Sequence, residues 1–124
     1  MSEPETIIVY GLGTCDTCRK ARNWLKRFDI AHEFVDYRAN RVAPEVLKDW
    51  AAQVGGWDKL VNRASTTWRQ LPEARKSPGS DPEWTLLLRE HPALVKRPVL
   101  VTADGAVSVG FSDKAWKARF AIRL

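Results

Sequence analysis

Two cysteines and their neighbours carry the most chemistry in this chain. Cys15 and Cys18 stand in Gly11-Leu12-Gly13-Thr14-Cys15-Asp16-Thr17-Cys18, after the apolar run Ile7-Ile8-Val9-Tyr10 and before a basic segment. β-Branched residues bounded by glycine read as a strand. Cys18, Ala21, Trp24, Leu25 and Phe28 recur at the spacing of one helical face, with Arg19, Lys20, Arg22, Asn23, Lys26 and Arg27 opposite. Cys15 therefore falls where a strand gives way to a helix, over unpaired backbone N–H groups at the positive end of the helix dipole. Arg19, Lys20 and Arg22 add positive charge nearby. Such surroundings bring a cysteine pKa from about 8.5 down to roughly 3.5–7.5. Cys15 is thus expected to be a nucleophile, and Cys18, on the apolar side, its less acidic resolving partner.

Other uses of the pair fit less well. A structural zinc needs four ligands, but the chain has no second cysteine pair, and His32 and His91 are far apart. No metal is expected. Haem attachment needs histidine after the second cysteine, where Arg19 stands, and a phosphatase-type loop needs arginine where Ala21 stands. A structural disulfide also suits the spacing. A dithiol between a strand and a helix start is, however, the pattern of redox chemistry.

The remaining elements must position this pair. His32 to Tyr37 reads as a second strand, parallel to the first through a right-handed crossover. Pro44 and Glu45 open a helix whose face is Val46, Leu47, Trp50, Ala51 and Val54, and Gly55-Gly56 stops it. A short helix is expected over Trp57 to Asn62, then a polar connection over Arg63 to Arg69. Asp81-Pro82-Glu83 opens a further helix with Asp81 as its cap and Pro92 as its stop. Pro98 to Thr102 and Ala106 to Gly110 read as a hairpin across Asp104-Gly105. Ser112 caps a last helix, with Ala115, Trp116, Arg119 and Phe120 at helical spacing. The six tryptophans fall on apolar helix faces or near helix ends, as packing residues rather than a stacking platform.

The order is β-α-β, a helical block, then β-β-α. That is an α/β, thioredoxin-like sheet in a single domain over 1–124, with its core in 7–42 and 96–121 and a helical insertion over about 43–95. Pro98 stands where a cis-proline would present backbone groups to whatever reacts at Cys15, so a cis Arg97–Pro98 peptide is expected. Thr14 and Asp16, beside Cys15, are expected to cap the helix or to touch the ligand.

Composition bounds the rest. The chain has 124 residues, 44% hydrophobic and 28% charged, which suits one globular domain with a real core. No apolar run approaches a membrane span, and the acidic start Met1-Ser2-Glu3-Pro4-Glu5 is no secretory signal. Two cysteines spaced for chemistry then point to the cytoplasm. The net charge of +5 suits an anionic ligand, but the basic residues form no block, so direct nucleic-acid binding is not indicated.

The motifs together resemble a known family. Cys15-Asp16-Thr17-Cys18-Arg19-Lys20-Ala21-Arg22, Asp36-Tyr37-Arg38, Trp57 to Arg63, His91 to Pro98 and Val109 to Asp113 are similar to the ArsC/Spx family, most of all to its small YffB-type branch of ArsC-like reductases. The likeness spans about 7–121. It implies a glutaredoxin/thioredoxin-like fold with a helical insertion. In the family's glutathione-linked arsenate reductases one cysteine attacks arsenate and three arginines hold the oxyanion. The nucleophile maps onto Cys15 and two of the arginines onto Arg63 and Arg97. The third falls at Val109-Gly110-Phe111, where no arginine stands, and this departure weighs against arsenate as the substrate.

The resemblance therefore implies a glutathione-dependent thiol reductase with glutathione as co-substrate. Cys15 and Cys18 would be its catalytic pair, and Arg63, Arg97, Pro98 and Thr14 its substrate-binding residues. Glutathione, another small thiol or oxyanion, or glutaredoxin would be its partner. Spx-like members instead use the same Cys-x-x-Cys as a redox switch while binding the RNA polymerase α subunit. The chain ends at Leu124, short of the longer tail of those regulators, so a reductase is the preferred expectation and a regulator the alternative.

Overall fold

The computed structural model describes residues 6–122. In chain order the elements are β1 (Ile8–Gly11), α1 (Asp16–Arg27), β2 (Glu33–Asp36), α2 (Pro44–Val54), α3 (Trp57–Leu60), α4 (Thr66–Arg69) and α5 (Asp81–Glu90). β3 (Val99–Val101), β4 (Val107–Val109) and α6 (Asp113–Arg119) complete the order, and single 3-10 turns lie at Glu73–Arg75 and Pro92–Leu94. The chain divides into two compact units, one running to Asp36 and resuming at Arg97, the other spanning Tyr37–Lys96.

The first unit is a four-stranded sheet in the order β2-β1-β3-β4. β1 runs parallel to β2, with Ile8 opposite Glu33 and Gly11 opposite Asp36. It runs antiparallel to β3, with Val9 opposite Leu100, and β3 pairs antiparallel with β4. This is the expected thioredoxin-like arrangement, and α1 is the crossover that the parallel pair requires. The Arg97–Pro98 peptide is cis, as expected.

The buried face of α1 holds it in place. Ala21, Trp24 and Leu25 pack with Val9, Leu100 and Trp116. Trp24 meets Phe28 at 4.6 Å, Trp116 at 5.6 Å and Phe120 at 5.8 Å between ring centroids. Its indole N–H donates to Asp113 Oδ1 at 2.7 Å, so the polar edge of a buried ring is satisfied at the start of α6. Ser112 caps that helix as expected, accepting from the Ala115 amide at 3.1 Å. Arg119 does not join the apolar face. Its guanidinium donates to Thr102 Oγ1 and to the Ala106 carbonyl, tying α6 to the β3–β4 turn.

The second unit corrects several local expectations. α2 begins at Pro44 and ends on Gly55 at φ 106°, the left-handed stop that glycine provides. Leu47, Trp50 and Ala51 are buried, but Val46 is exposed and lies off that face. The connection after Arg63 contains a helical turn, α4, because Ser65 Oγ accepts from the Trp68 amide at 3.1 Å and Trp68 is buried. The cap of α5 is Ser80, one residue before the expected Asp81. Ser80 Oγ accepts from the Glu83 amide while the Glu83 carboxylate reaches back to the Gly79 amide, a reciprocal arrangement akin to a capping box. Asp81 is released to accept from the Trp57 indole at 2.8 Å.

Trp84 lies between Trp57 and Trp68, at 5.9 and 6.2 Å with planes within 13° of parallel. These indole faces are occupied by one another, in keeping with their reading as packing residues. Within this unit the Tyr37 hydroxyl donates to the Val95 carbonyl. Replacing Ser80 by alanine should cost about 1 kcal/mol in urea unfolding, and replacing it by glycine only a few tenths. Equal losses in the two variants would show that the Ser80 hydroxyl is not the cap.

Candidate active site

The site begins where β1 ends. Leu12 to Cys15 makes a tight turn closed by the Cys15 amide donating to the Leu12 carbonyl at 3.0 Å. Cys15 is then the N-cap of α1, in extended conformation, with its carbonyl already accepting the Arg19 amide at 3.1 Å. The turn is braced by the Gly13 amide, which donates to Asp36 Oδ2 at 2.9 Å. Neither Thr14 nor Asp16 caps the helix, since the cap position is Cys15. Asp16 sits in the first turn, and Thr14 is exposed.

The two sulfurs have opposite surroundings. Cys15 is half-buried and Cys18 is 1% exposed, both as free thiols. Burial is the largest single influence on Cys15 and raises its pKa, yet the net shift is downward. The Cys18 backbone amide, the Arg97 guanidinium and the Cys18 thiol all favour the Cys15 thiolate and together outweigh desolvation. At Cys18 burial wins. Together with the neighbouring Cys15 it pushes the thiol up to about 11 despite the Leu12 amide. Cys15 is the acidic sulfur and Cys18 keeps its proton at neutral pH.

The cation that acts on Cys15 is therefore Arg97, not the basic residues of α1 itself. Arg19 and Lys20 both pair with Asp16, Lys20 at 3.3 Å. Those two cations hold the Asp16 carboxyl below the usual carboxylate range. Arg22 lies over the Phe34 ring at 4.2 Å, a cation–π contact that turns its charge to β2. Pro98 is buried, and its carbonyl accepts from the Gly110 amide at 2.9 Å. Arg63 belongs to the second unit, where it pairs with Asp58 at 2.5 Å and lies 5.4 Å from the Trp68 ring centroid.

Sequence reasoning missed one residue. Gly11 is buried at the end of β1, and a β-carbon there would collide with Cys18 Sγ. A glycine inside a strand pattern is the available signal for such a close approach. Among the described residues no three His, Cys, Asp or Glu side chains gather to hold a metal ion. No described helix is long and apolar enough to cross a membrane.

A half-exposed thiol whose thiolate form is favoured by a guanidinium is equipped for attack on an electron-poor sulfur. Alkylation of the folded protein should label Cys15, with an inflection below that of an ordinary cysteine, and spare Cys18. Arg97→Gln should move that inflection upward and Arg97→Lys should move it less; an unmoved profile in Arg97→Gln would remove Arg97 from the account.

The model of the ArsC family matches residues 10–119. The solved structure of a YffB protein is 39% identical, with a TM-score of 0.80 over 90% of this chain and 96% of that one. An arsenate reductase (ArsC) related protein from Brucella melitensis is 38% identical, with a TM-score of 0.73 over 94% and 96%. A global transcriptional regulator, Spx 2 of Bacillus anthracis, is 25% identical over 87% of this chain and 82% of its own length. With the match running from β1 to the end of α6 and taking in both cysteines and Arg97, the chain belongs to the ArsC family.

Proposed function

We propose that this protein is a glutathione-linked thiol oxidoreductase in which Cys15 is the nucleophile. The observation that carries this reading is the Arg97 guanidinium acting on a half-exposed Cys15 sulfur at the start of α1. Cys15 as thiolate attacks the glutathione sulfur of a mixed disulfide. The Cys15–glutathione S–S bond forms, the substrate S–S bond breaks, and the substrate sulfur leaves as a thiolate that takes up a proton.

A second glutathione, as thiolate, then attacks the bound glutathione sulfur. Oxidised glutathione leaves and the Cys15 thiolate is restored. Resolution by Cys18 is the other balanced route, giving a Cys15–Cys18 disulfide that two glutathione molecules reduce. Cys18, which is buried and keeps its proton, is a slow nucleophile for that step. Arg97 is suited to a carboxylate of glutathione by its planar donor fork, and Arg63 is proposed as a second anion anchor. A reducing compartment such as the cytoplasm supplies the thiol.

The likeness to the Spx regulator favours a second reading, a redox switch that binds the RNA polymerase α subunit. The two are separated by one set of variants in a glutathione-coupled disulfide-reduction assay. Cys15→Ser should abolish turnover, while Cys18→Ser should keep most of it. Full activity in Cys15→Ser would refute the scheme, and capture of the α subunit by a wild-type protein without turnover would favour the regulator.

A further inference from the structure

Gly11 is the last residue of β1 and its φ lies outside the left-handed region, so its backbone places no demand for glycine. The demand is spatial. A β-carbon at Gly11 would overlap Cys18 Sγ, and would stand 3.5 Å from Cys18 Cβ and 3.4 Å from Phe34 Cε1. The Cys18 sulfur thus occupies the place where any other residue in β1 would carry its side chain. Protein interiors are packed too tightly for that sulfur to move without displacing a neighbour. Phe34 on β2 borders the same niche and is itself covered by Arg22.

We propose that Gly11 is a positioning residue for the nucleophile: by leaving its β-carbon position to the Cys18 sulfur, it seats the Cys18 thiol as a hydrogen-bond donor to the Cys15 thiolate. The inference rests on reading Cys15 as the nucleophile and adds how its charge is supported from the sheet side. The two sulfurs are hydrogen-bonded to each other, a contact that favours the thiolate at Cys15 and disfavours it at Cys18. The Leu12 amide, next in the chain to Gly11, acts on the same Cys18 sulfur and helps to hold it there. At 1% exposure Cys18 is shielded from external thiols and disulfides, so its service to Cys15 does not require it to react.

The test is the pH profile of Cys15 alkylation by iodoacetamide, with the labelled residue identified by mass, in wild type, Gly11→Ala, Cys18→Ala and the double variant. A hydrogen bond to a charged group is lost in either single variant, so each inflection should rise by about one pH unit. Labelling on the acid side should then slow about tenfold. The double variant should match Cys18→Ala, because Gly11 acts only through the sulfur that is no longer present.

An unmoved inflection in folded Gly11→Ala overturns the proposal. So does a further rise when Gly11→Ala is added to Cys18→Ala. Should Gly11→Ala alone fail to fold, the double variant, with the sulfur removed, must fold and keep the Cys18→Ala inflection; if it does neither, the proposal falls. Loss of the glutathione-coupled reaction would refute the proposed function and leave these four profiles unaltered.

Discussion

The favouring of thiolate at one sulfur, at a strand–helix junction, is what the first unit is arranged around. An isolated thiolate is costly to bury, and burial is indeed the largest single influence on Cys15. The thiolate is favoured because three donors converge on it: the Cys18 amide in the first turn of α1, the Cys18 thiol and the guanidinium of Arg97. Each comes from a part of the chain with a fixed place. α1 is anchored by Ala21, Trp24 and Leu25 in the core. Arg97 directly precedes the cis Pro98, whose carbonyl is tied to the Gly110 amide beyond β4. The order β2-β1-β3 then brings the chain entering β3 alongside the chain leaving β1.

The same motif yields two unlike cysteines because the helix turns one sulfur toward solvent and the other toward the sheet. Cys15, at the N-cap, takes the Cys18 amide from the first turn of α1, while Cys18 takes the Leu12 amide from the chain before it. Desolvation separates them further. At Cys18 it exceeds everything the Leu12 amide returns, and at Cys15 three donors exceed it. The asymmetry depends on β1 presenting a glycine where α1 crosses it, since a side chain at Gly11 would deny Cys18 its place.

Features encoded in a few adjacent residues were legible before any coordinates. The β-α-β start, the left-handed stop at Gly55, the Ser112 cap and the Asp104-Gly105 turn each depend on residues within a turn or two of one another. The cis bond before Pro98 was legible only together with the fold. What was not legible required knowing which of several local partners wins. Arg19 and Lys20 looked like the source of positive charge beside Cys15. Asp16 stands at the i−3 and i−4 positions that such side chains reach on a helix, and it takes both. Ser80 and Asp81 are both good caps in adjacent positions, and the Glu83 carboxylate turning back to Gly79 and Ser80 favours Ser80. The one signal at Gly11, a glycine at the edge of a strand pattern, was ambiguous because a strand-end glycine reads equally as the start of a loop.

The missing third arginine also has a physical side. Restoring it at Phe111 would remove a ring that meets Trp116 at 4.8 Å and Trp24 at 6.3 Å, opening the core that anchors α1. At Gly110 the backbone stands at φ 84°, a conformation costing a side chain roughly 1–2 kcal/mol. At Val109 the residue is half-buried in β4, paired with Val99, where a cation would be desolvated. None of the three positions accepts a guanidinium without loss elsewhere, so the departure is built into the packing rather than being a single exchange. A tetrahedral oxyanion asks for charge around its whole surface, whereas a disulfide asks for a thiolate and an anchor for a distant carboxylate. The residues around Cys15 and Arg97 answer the second requirement, in keeping with the thiol substrate proposed above.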